Sequence, residues 1–253
     1  MPLAKQLHHY LKSVEDFPPA AKSEREFPLP SKEDSSELEK KLSSSPIVAS
    51  KRLGGGINDT RVITLSGGIP AVFKVDRREG RESTNELGAW KVAQIVGMTD
   101  LVPPVAIRDI ANQQGTIEHG SVMAFVGGEV AGRYDSKQQF DGEKDLARSA
   151  AFDYVIGNED RHTSNWLVEG DKLHLIDHGL AFPEEWPYWG GSRFIEEAKE
   201  RKLPVAEYAA PYIKLKTPIL ATLNGIGMGQ NYVKEVGKRI DVLSKVTSWA
   251  ELR

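Results

Sequence analysis

Asp160, Asn165 and Asp177 are the residues whose types and spacing best suit chemistry. Asn165 follows Asp160 by five positions, and Asp177 ends an apolar run just before Gly179. Carboxylate and amide oxygens are ligands that Mg²⁺ accepts in proteins. Phosphoryl transfer needs one carboxylate beside the acceptor hydroxyl and further oxygen ligands that hold the metal against a triphosphate. The three residues therefore predict phosphoryl transfer, with Asp160 at the acceptor and Asn165 and Asp177 on the metal.

A cation for the phosphates is predicted at Lys74, which lies inside the apolar stretch Ala-Val-Phe-Lys-Val. A lysine in such a strand is commonly an edge or solvent-facing residue, but a nucleotide site needs one there, oriented by a carboxylate. A helix is predicted over Ser83–Val96, with Ser83 as its cap. Glu86 shares a face of that helix with Trp90 and is the predicted partner of Lys74, with Glu82 as the alternative.

Two segments resemble a known family. The run Gly-Asn-Glu-Asp-Arg-His-Thr-Ser-Asn at 157–165 resembles the G-x-x-DRH-x-x-N catalytic loop of the phosphatidylinositol 3/4-kinase-like superfamily. Ile176–Gly179 resembles its IDFG-type metal loop, with His178 where Phe is usual. The HipA-like and actin-fragmin-kinase-like atypical protein kinases carry related loops. The resemblance extends from about Val48 to the C-terminus, and it implies an α+β, two-lobed protein-kinase-like fold that uses ATP and Mg²⁺.

The resemblance also implies roles for neighbouring residues. Arg161 and His162 would stabilise the transferring charge or brace the loop, and His162 has the stronger claim to a catalytic role. Asp153 would anchor the loop from the preceding helix. The turn containing Gly55 and Gly56 would cover the phosphates, although a plain hairpin turn also explains those glycines.

The adenine ring would be read by backbone groups of the segment that joins the two lobes. This segment is placed at Met123, Phe125 and Val126, at the end of the fifth predicted strand. Pro183–Gly191, which follows the metal loop, is predicted to lie near the acceptor.

Hydrophobic patterning divides the chain into a partly disordered tail (1–45), a small β-rich nucleotide-binding lobe (46–127) and a large helical catalytic lobe (128–253). The small lobe is predicted to contain five strands, at Ile47–Leu53, Thr60–Leu65, Ala71–Val75, Leu101–Ile107 and Gly120–Val126. The large lobe is predicted to contain a helix ending at Gly157, a hairpin turned by Glu169-Gly170-Asp171, and helices at Val205–Leu215, Pro218–Asn224 and Asn231–Val246.

Composition limits the partners. The formal net charge of −3 predicts no nucleic-acid partner, and no apolar run approaches the roughly 20 residues that span a bilayer. The chain has no cysteine, which excludes disulfides and thiolate metal sites, and its histidines lack zinc-ligand spacing. A cytoplasmic location is expected, with export as an effector through the N-terminal tail as an alternative.

Three functions remain open. The first is a compact atypical Ser/Thr protein kinase, because little of the chain remains for the extra helical domains of lipid kinases. The second is a phosphoinositide or small-molecule kinase, although no strongly basic loop follows Asp177; the basic residues Arg193, Lys199, Arg201 and Lys202 come later. The third is a catalytically inactive pseudokinase that binds nucleotide or a partner.

Overall fold

The computed structural model describes residues 32–53, 59–77, 80–112, 114–130, 142–184 and 191–252. Its small lobe is built on an antiparallel sheet of five strands in the order β1-β2-β3-β5-β4. The strands are β1 (Ile47–Leu53), β2 (Thr60–Leu65), β3 (Ile69–Val75), β4 (Val105–Ala111) and β5 (Ile117–Ala124). The predicted five-stranded sheet and α+β class are therefore confirmed.

The two faces of this sheet bury different cores, because side chains alternate along each strand. On β3, Val72 and Lys74 face the cleft side, and Val72 belongs to the larger hydrophobic core. Ala71 and Phe73 belong to a smaller core on the opposite face. Lys74 pairs with Thr60 on β2 and with Ser121 on β5, so it sits in the middle of the sheet rather than on an edge.

Part of the segment assigned to the tail is an ordered helix, α1 (Lys32–Ser44). Leu42 on α1 is fully buried in the smaller core with Ile63 and Ala106, and Leu38 packs against the same cluster. Apolar residues four positions apart lie on one helix face, and this explains why α1 packs on the sheet. The division into tail and lobes otherwise stays a prediction.

The next helix, α2 (Arg81–Val96), carries Glu86 and begins two residues before the predicted start. Ser83 is not its cap: the cap residue is Gly80, and the Asp76 carboxylate accepts hydrogen bonds from the Ser83 N–H and hydroxyl at 2.8 and 2.5 Å. Asp76 thus satisfies a free N–H of the first turn from outside the helix. Gly88 lets α2 approach the large lobe, because a Cβ there would come within 2.7 Å of Met228.

The large lobe begins with a second sheet that contains β6 (Glu129–Val130), β7 (Trp166–Glu169) and β8 (Lys172–Leu175). The predicted hairpin is β7–β8, with Gly170 in the left-handed region at φ 62°. The helices of this lobe are α3 (Glu143–Ile156), α4 (Arg193–Glu200), α5 (Ala206–Lys214), α6 (Lys216–Gly225) and α7 (Gln230–Leu243), followed by a 3-10 turn at Trp249–Glu251.

Strand β5 is Ile117–Ala124 rather than the predicted Gly120–Val126, and three further elements differ from the prediction. The strand β4 begins at Val105 rather than at Leu101, because Pro103 and Pro104 have no N–H to donate to a neighbouring strand. Helix α4 was not predicted; Phe194, Ile195 and Ala198 are its buried residues in a short, highly charged segment. The two-residue strand β6 is too short to leave a pattern. No helix within the described ranges is long and apolar enough to span a membrane.

Candidate active site

The cleft between the lobes brings Lys74, Glu86 and Asp177 together. The Lys74 Nζ donates to Glu86 Oε1 at 3.2 Å and also forms an ion pair with the Asp177 carboxylate. Lys74 is only 8% exposed. A strand of the small lobe, a helix of the same lobe and a loop of the large lobe thus meet at one ammonium group. Glu86 is the partner that the sequence analysis preferred, whereas the alternative, Glu82, pairs with Arg77 at 2.8 Å.

Both members of the buried Lys74–Glu86 pair are charged. Burial alone would lower the pKa of Lys74, but the carboxylates of Asp177 and Glu86 outweigh it and raise that pKa above its ordinary value. Burial would raise the pKa of Glu86, but the Lys74 ammonium and hydrogen bonds from His178 lower it. A buried cation next to two carboxylates is a strongly polarised centre suited to a polyanion and a divalent cation.

The loop carrying Asp177 is held by α2. Asn85 Nδ2 donates to the carbonyl oxygens of Gly179 at 2.9 Å and of Ala181 at 2.8 Å. The His178 N–H donates to Glu86 Oε2 at 3.1 Å. Asp177 itself lies in the left-handed region at φ 62°, a conformation that aspartate tolerates better than most residues. The Asn85 and Glu86 side chains of α2 thus hold the backbone on the C-terminal side of Asp177, and this fixes the direction of the Asp177 side chain.

His178 occupies a buried position where the resembling family has Phe. Its ring packs edge-on against Phe152, with centroids 5.7 Å apart, and its Nδ1 lies 3.5 Å from Glu86 Oε2. Burial lowers the pKa of His178, so the ring is neutral at neutral pH. The histidine thus fills an aromatic position and adds one polar contact to Glu86.

The catalytic loop presents Asp160 and His162 to solvent. The side chain of Asp160 is 42% exposed, and His162 Nε2 lies 3.8 Å from Asp160 Oδ1. The Ser164 N–H donates to His162 Nδ1 at 3.1 Å, so a neutral His162 carries its proton on Nε2, on the side of Asp160. Asn165 Nδ2 donates to the Asp160 carbonyl at 2.7 Å and orients the start of the loop.

The remaining oxygen of the Asn165 amide is suited to a cation. Among the described residues, Asn165 Oδ1 is buried and accepts no hydrogen bond, and an unsatisfied buried acceptor is costly. Asn165 is next to the Asp177 loop, since the Ile176 N–H donates to its backbone carbonyl at 3.1 Å. The pair of Asn165 and Asp177 therefore fits Mg²⁺ or a similar hard cation with phosphate and water as further ligands. Within the described ranges, no group of three or more His, Cys, Asp or Glu residues forms a metal site.

Arg161 braces the two loops from inside the protein. It is 1% exposed, and its guanidinium pairs with Asp153 on α3, with Nε 3.1 Å from Oδ2. Its NH1 donates to the backbone carbonyls of Asn165 and Ile176, and Ser192 Oγ donates to Asp153 Oδ2 at 2.6 Å. Of the two roles considered for Arg161, this placement favours bracing, and it agrees with the structural role expected of Asp153.

The catalytic loop starts at Gly157, which caps α3 in the left-handed region at φ 63°. Only glycine fits here, because a Cβ would come within 2.7 Å of Pro183 and 3.0 Å of the Arg239 guanidinium. Arg239 donates from Nε to the Val155 carbonyl at 2.8 Å, and burial lowers its pKa to about 10. The end of α3 is thus fixed from both sides where the loop begins.

The other predicted binding residues divide into two groups. Met123 is the penultimate residue of β5, Phe125 and Val126 lie in the segment that leads from β5 to β6, and all three are buried. Gly55 and Gly56 lie outside the described residues, as does most of the Pro183–Gly191 segment. Asn85 was not predicted as a site residue, because its position directly before Glu86 on a helix gives no sign of contacts to the backbone of the Asp177 loop.

Comparisons with known proteins agree with this architecture. The family model of phosphatidylinositol 3- and 4-kinase matches residues 118–220, a range that includes Asp160, Asn165 and Asp177. Comparison with curated protein sequences finds no match. The crystal structure of the Golgi casein kinase with Mn/ADP bound is similar, with a TM-score of 0.58, 16% identity, and coverage of 88% of this chain and 78% of that chain. The structure of hydra Fam20 with sugar has a TM-score of 0.59 and 13% identity, with coverage of 87% and 90%.

These similarities cover both lobes, whereas the family model covers the catalytic and metal loops. The structural neighbours are too distant in sequence to indicate more than the fold. Together with the loop motifs, however, they confirm the resemblance drawn from the sequence and support a phosphotransferase in general. The chain has the two-lobed, atypical protein-kinase-like fold, and its residues 118–220 match the family model of phosphatidylinositol 3- and 4-kinase.

Proposed function

We propose that this protein is an ATP- and Mg²⁺-dependent phosphotransferase that transfers the γ-phosphate to a Ser or Thr hydroxyl of a protein. The observation that carries the proposal is the meeting of Lys74, Glu86 and Asp177, together with the unsatisfied amide oxygen of Asn165, whose backbone carbonyl accepts from the residue before Asp177. A purely structural ion pair gives no reason for an unsatisfied acceptor on the neighbouring loop. A triphosphate with a divalent cation accounts for both features.

In this mechanism each residue has a defined task. Lys74, kept charged and oriented by Glu86, binds the α- and β-phosphates. Asn165 and Asp177 would hold Mg²⁺, which when bound neutralises charge on the phosphates; the Mn/ADP-bound casein kinase supports the use of nucleotide with a divalent cation. The backbone at Met123, Phe125 and Val126 would read adenine, and the loop at Gly55 and Gly56 would cover the phosphates.

Asp160 would act at the acceptor. It orients the incoming hydroxyl, whose oxygen bonds to the γ-phosphorus while the bond to the β–γ bridging oxygen of ATP breaks and ADP leaves. The proton of the hydroxyl passes to Asp160 late in the step. His162, with its Nε2 proton directed toward Asp160, is placed to stabilise charge on that side. Arg161 contributes by holding the loop.

A protein acceptor is favoured over a phosphoinositide by the pairing of the basic residues Arg193 and Lys199 on α4 and Arg201 directly after it. Arg193 is paired with Glu196 and Glu197, and Arg201 is also paired with Glu197. Lys199 donates to the backbone carbonyl of Leu252. Recognition of a phosphorylated headgroup needs cations that are available to several phosphates. The half-exposed Asp160 instead suits a hydroxyl carried on a protein surface.

The pseudokinase alternative is disfavoured by the completeness of the site, because a scaffold does not need Asp160, Asn165 and Asp177 together. A cytoplasmic location remains part of the proposal, on the basis of a chain without cysteine.

The test is transfer of labelled γ-phosphate from ATP to mixed lysate proteins and to phosphoinositide vesicles in parallel. We expect label on proteins from the parent and none from Asp160→Ala. Asp241→Asn is the matched control, because Asp241 is 57% exposed and pairs only on the surface with Lys216. Label on the vesicles alone would favour the phosphoinositide kinase. Nucleotide binding with no transfer to protein, lipid or the chain itself would favour the pseudokinase.

A further inference from the structure

One carboxylate of the N-terminal helix holds the helix that carries Glu86. Glu39 on α1 accepts hydrogen bonds from three side chains of α2: Trp90 Nε1 at 2.8 Å, Lys91 Nζ at 2.5 Å and Gln94 Nε2 at 3.1 Å. The three donors, at positions 90, 91 and 94, lie on one side of the last two turns of α2. Three donors directed at one carboxylate form a specific connection, because hydrogen bonds to a charged acceptor are stronger than those between neutral groups.

Helix α1 is itself fixed to the sheet, so Glu39 is a stationary acceptor. Leu42 is fully buried against the sheet. At the C-terminal end of α1, Arg108 NH1 on β4 donates to the carbonyl oxygens of Leu42 at 3.3 Å and Ser45 at 2.8 Å. These bonds satisfy carbonyls that a helix end leaves free. Both α1 and α2 contact β4 and β5. The hydrogen bonds of Glu39 join the two helices beside these strands.

The connection is coupled to the active site through the geometry of α2. Trp90 follows Glu86 by four positions, so the two side chains lie one turn apart on the same face. A rotation or shift of α2 that moves Glu86 away from Lys74 also moves the Trp90 indole away from Glu39. On the other side, Asn85 binds the metal loop. The helix is therefore held from the large lobe and from α1 at once.

We propose that Glu39 is a positioning residue for phosphoryl transfer, which keeps α2 in the position where Glu86 orients Lys74. The inference rests on the proposed function and extends it: the N-terminal helix is an integral part of the nucleotide site, and the chain supplies in cis the contact that holds this helix. Glu39 touches neither nucleotide nor acceptor and acts through Trp90 and Glu86.

The test compares Glu39→Gln with Glu37→Gln in the full chain. Glu37 lies on the same helix, is 58% exposed and, among the residues that the structure describes, pairs with Lys41 alone. Because the effect passes through Lys74, we expect kcat/KM for ATP to fall about tenfold in Glu39→Gln, with the KM for the protein acceptor unchanged. Glu37→Gln should match the parent. Equal kinetics for the two variants, or a loss that follows only the folded fraction in thermal unfolding, would overturn the proposal.

A second measurement separates this proposal from the proposed function. Amide hydrogen exchange reports local opening whether or not the protein transfers phosphate. In Glu39→Gln, we expect faster exchange over residues 86–94 of α2 and unchanged exchange over α3. Unchanged exchange in α2, or equally faster exchange in both helices, counts against Glu39 as a specific contact. A parent that transfers no phosphate while this exchange difference holds would refute the enzyme assignment and leave the connection intact.

A double-variant cycle identifies the connection itself. Lys91→Met removes one donor at a position that is 23% exposed, so the fold is little affected. If Lys91 acts through Glu39, the double variant Glu39→Gln/Lys91→Met should lose no more kcat/KM for ATP than Glu39→Gln alone. Losses that simply multiply would mean that the two residues act independently and would contradict the assigned contact.

Discussion

The two ends of the candidate active site are built differently. At the nucleotide end, Asp177 is 23% exposed in its side chain, paired with Lys74 and directed by the Asn85 bonds to its loop. At the acceptor end, Asp160 is 42% exposed, and His162 is its neighbour at 3.8 Å. The proposed nucleotide end is thus held by contacts within the chain, whereas the proposed acceptor end is open to solvent.

This difference fits two kinds of substrate. A nucleotide is small and constant, so a preorganised and partly buried charge arrangement binds it without reorganisation. A hydroxyl on a macromolecule must approach from outside, so its carboxylate has to remain accessible. The comparison implies that variants at the two ends will affect different kinetic parameters, and it can be tested on that basis.

The largest effect is expected at the nucleotide end, for Asp177→Asn. The variant keeps the shape of the side chain but loses the charge that binds the metal and faces Lys74. Metal ions contribute several kcal/mol of transition-state stabilisation, and each 1.36 kcal/mol is tenfold in rate, so transfer should fall by about 10³-fold or more. Labelled-ATP transfer measures it, with Asp171→Asn in the exposed β7–β8 turn as the control. A loss of transfer smaller than tenfold would contradict the assignment of Asp177 as a metal ligand.

The next largest effect is expected at the acceptor end. Asp160→Asn should lower kcat by about 10²-fold, the usual contribution of a positioned proton acceptor. The KM for ATP should stay near that of the parent, because the Asp160 side chain reaches the metal residues only through the Asn165 Nδ2 bond to Asp160 Oδ2 at 3.3 Å, which the amide oxygen of the variant can also accept. Steady-state kinetics with varied ATP measures both values. A raised KM for ATP with unchanged kcat would show that the two ends are not separate.

A moderate effect is expected where helix α2 holds the metal loop. Asn85→Ala removes two hydrogen bonds to backbone carbonyls, each worth about 1 kcal/mol, so transfer should fall about tenfold or somewhat more. The Mg²⁺ concentration for half-maximal rate should rise, because Asp177 is less well directed. Thr84→Ala is the neighbouring control, since Thr84 bonds within its own helix to Gly80. An unchanged Mg²⁺ dependence would contradict the role given to Asn85.

The smallest effect concerns acid stability at His178. Burial lowers its pKa in the folded state, so below about pH 6.5 the unfolded chain binds a proton that the folded chain excludes. Stability is therefore lost as the pH falls from about 6.5. His178→Phe should remove part of the stability loss between pH 7 and pH 5, at most about 2 kcal/mol, because one pH unit below the unfolded pKa is worth about 1.4 kcal/mol.

Denaturant unfolding at the two pH values measures this change. Glu86 does not contribute in that window, because its pKa is lowered from 4.5 and its share of the stability is lost only under more acidic conditions. His174 is also buried with a lowered pKa, but it is the same in both proteins. An equal pH dependence of the parent and His178→Phe would mean that the ring is not held neutral.

Much of the fold could be predicted because its signals are local. The alternation of apolar residues in the strands and the glycine at 157 that ends α3 are signals carried by residues close together in sequence. The corresponding elements were therefore predicted nearly as observed. Helix α4 was missed because its three buried residues lie among charges. The start of β4 was misplaced because the apolar run continued through prolines that cannot pair. Within the tail a helical turn or two was predicted at Ser35–Leu42, but its packing against the sheet was not, because the residues it contacts there are distant along the chain.

The sequence by itself determined which groups carry the chemistry: Asp160, Asn165 and Asp177 at their spacing, Lys74 in an apolar strand and Glu86 on a helix face. These assignments follow from residue type and short-range periodicity. Only the tertiary structure decided how the groups are held, with Asn85 on the metal loop, Arg161 beneath both loops and Glu39 on α2. Those contacts join residues that are distant along the chain, and no local pattern records a contact that exists only after the lobes and helices have packed.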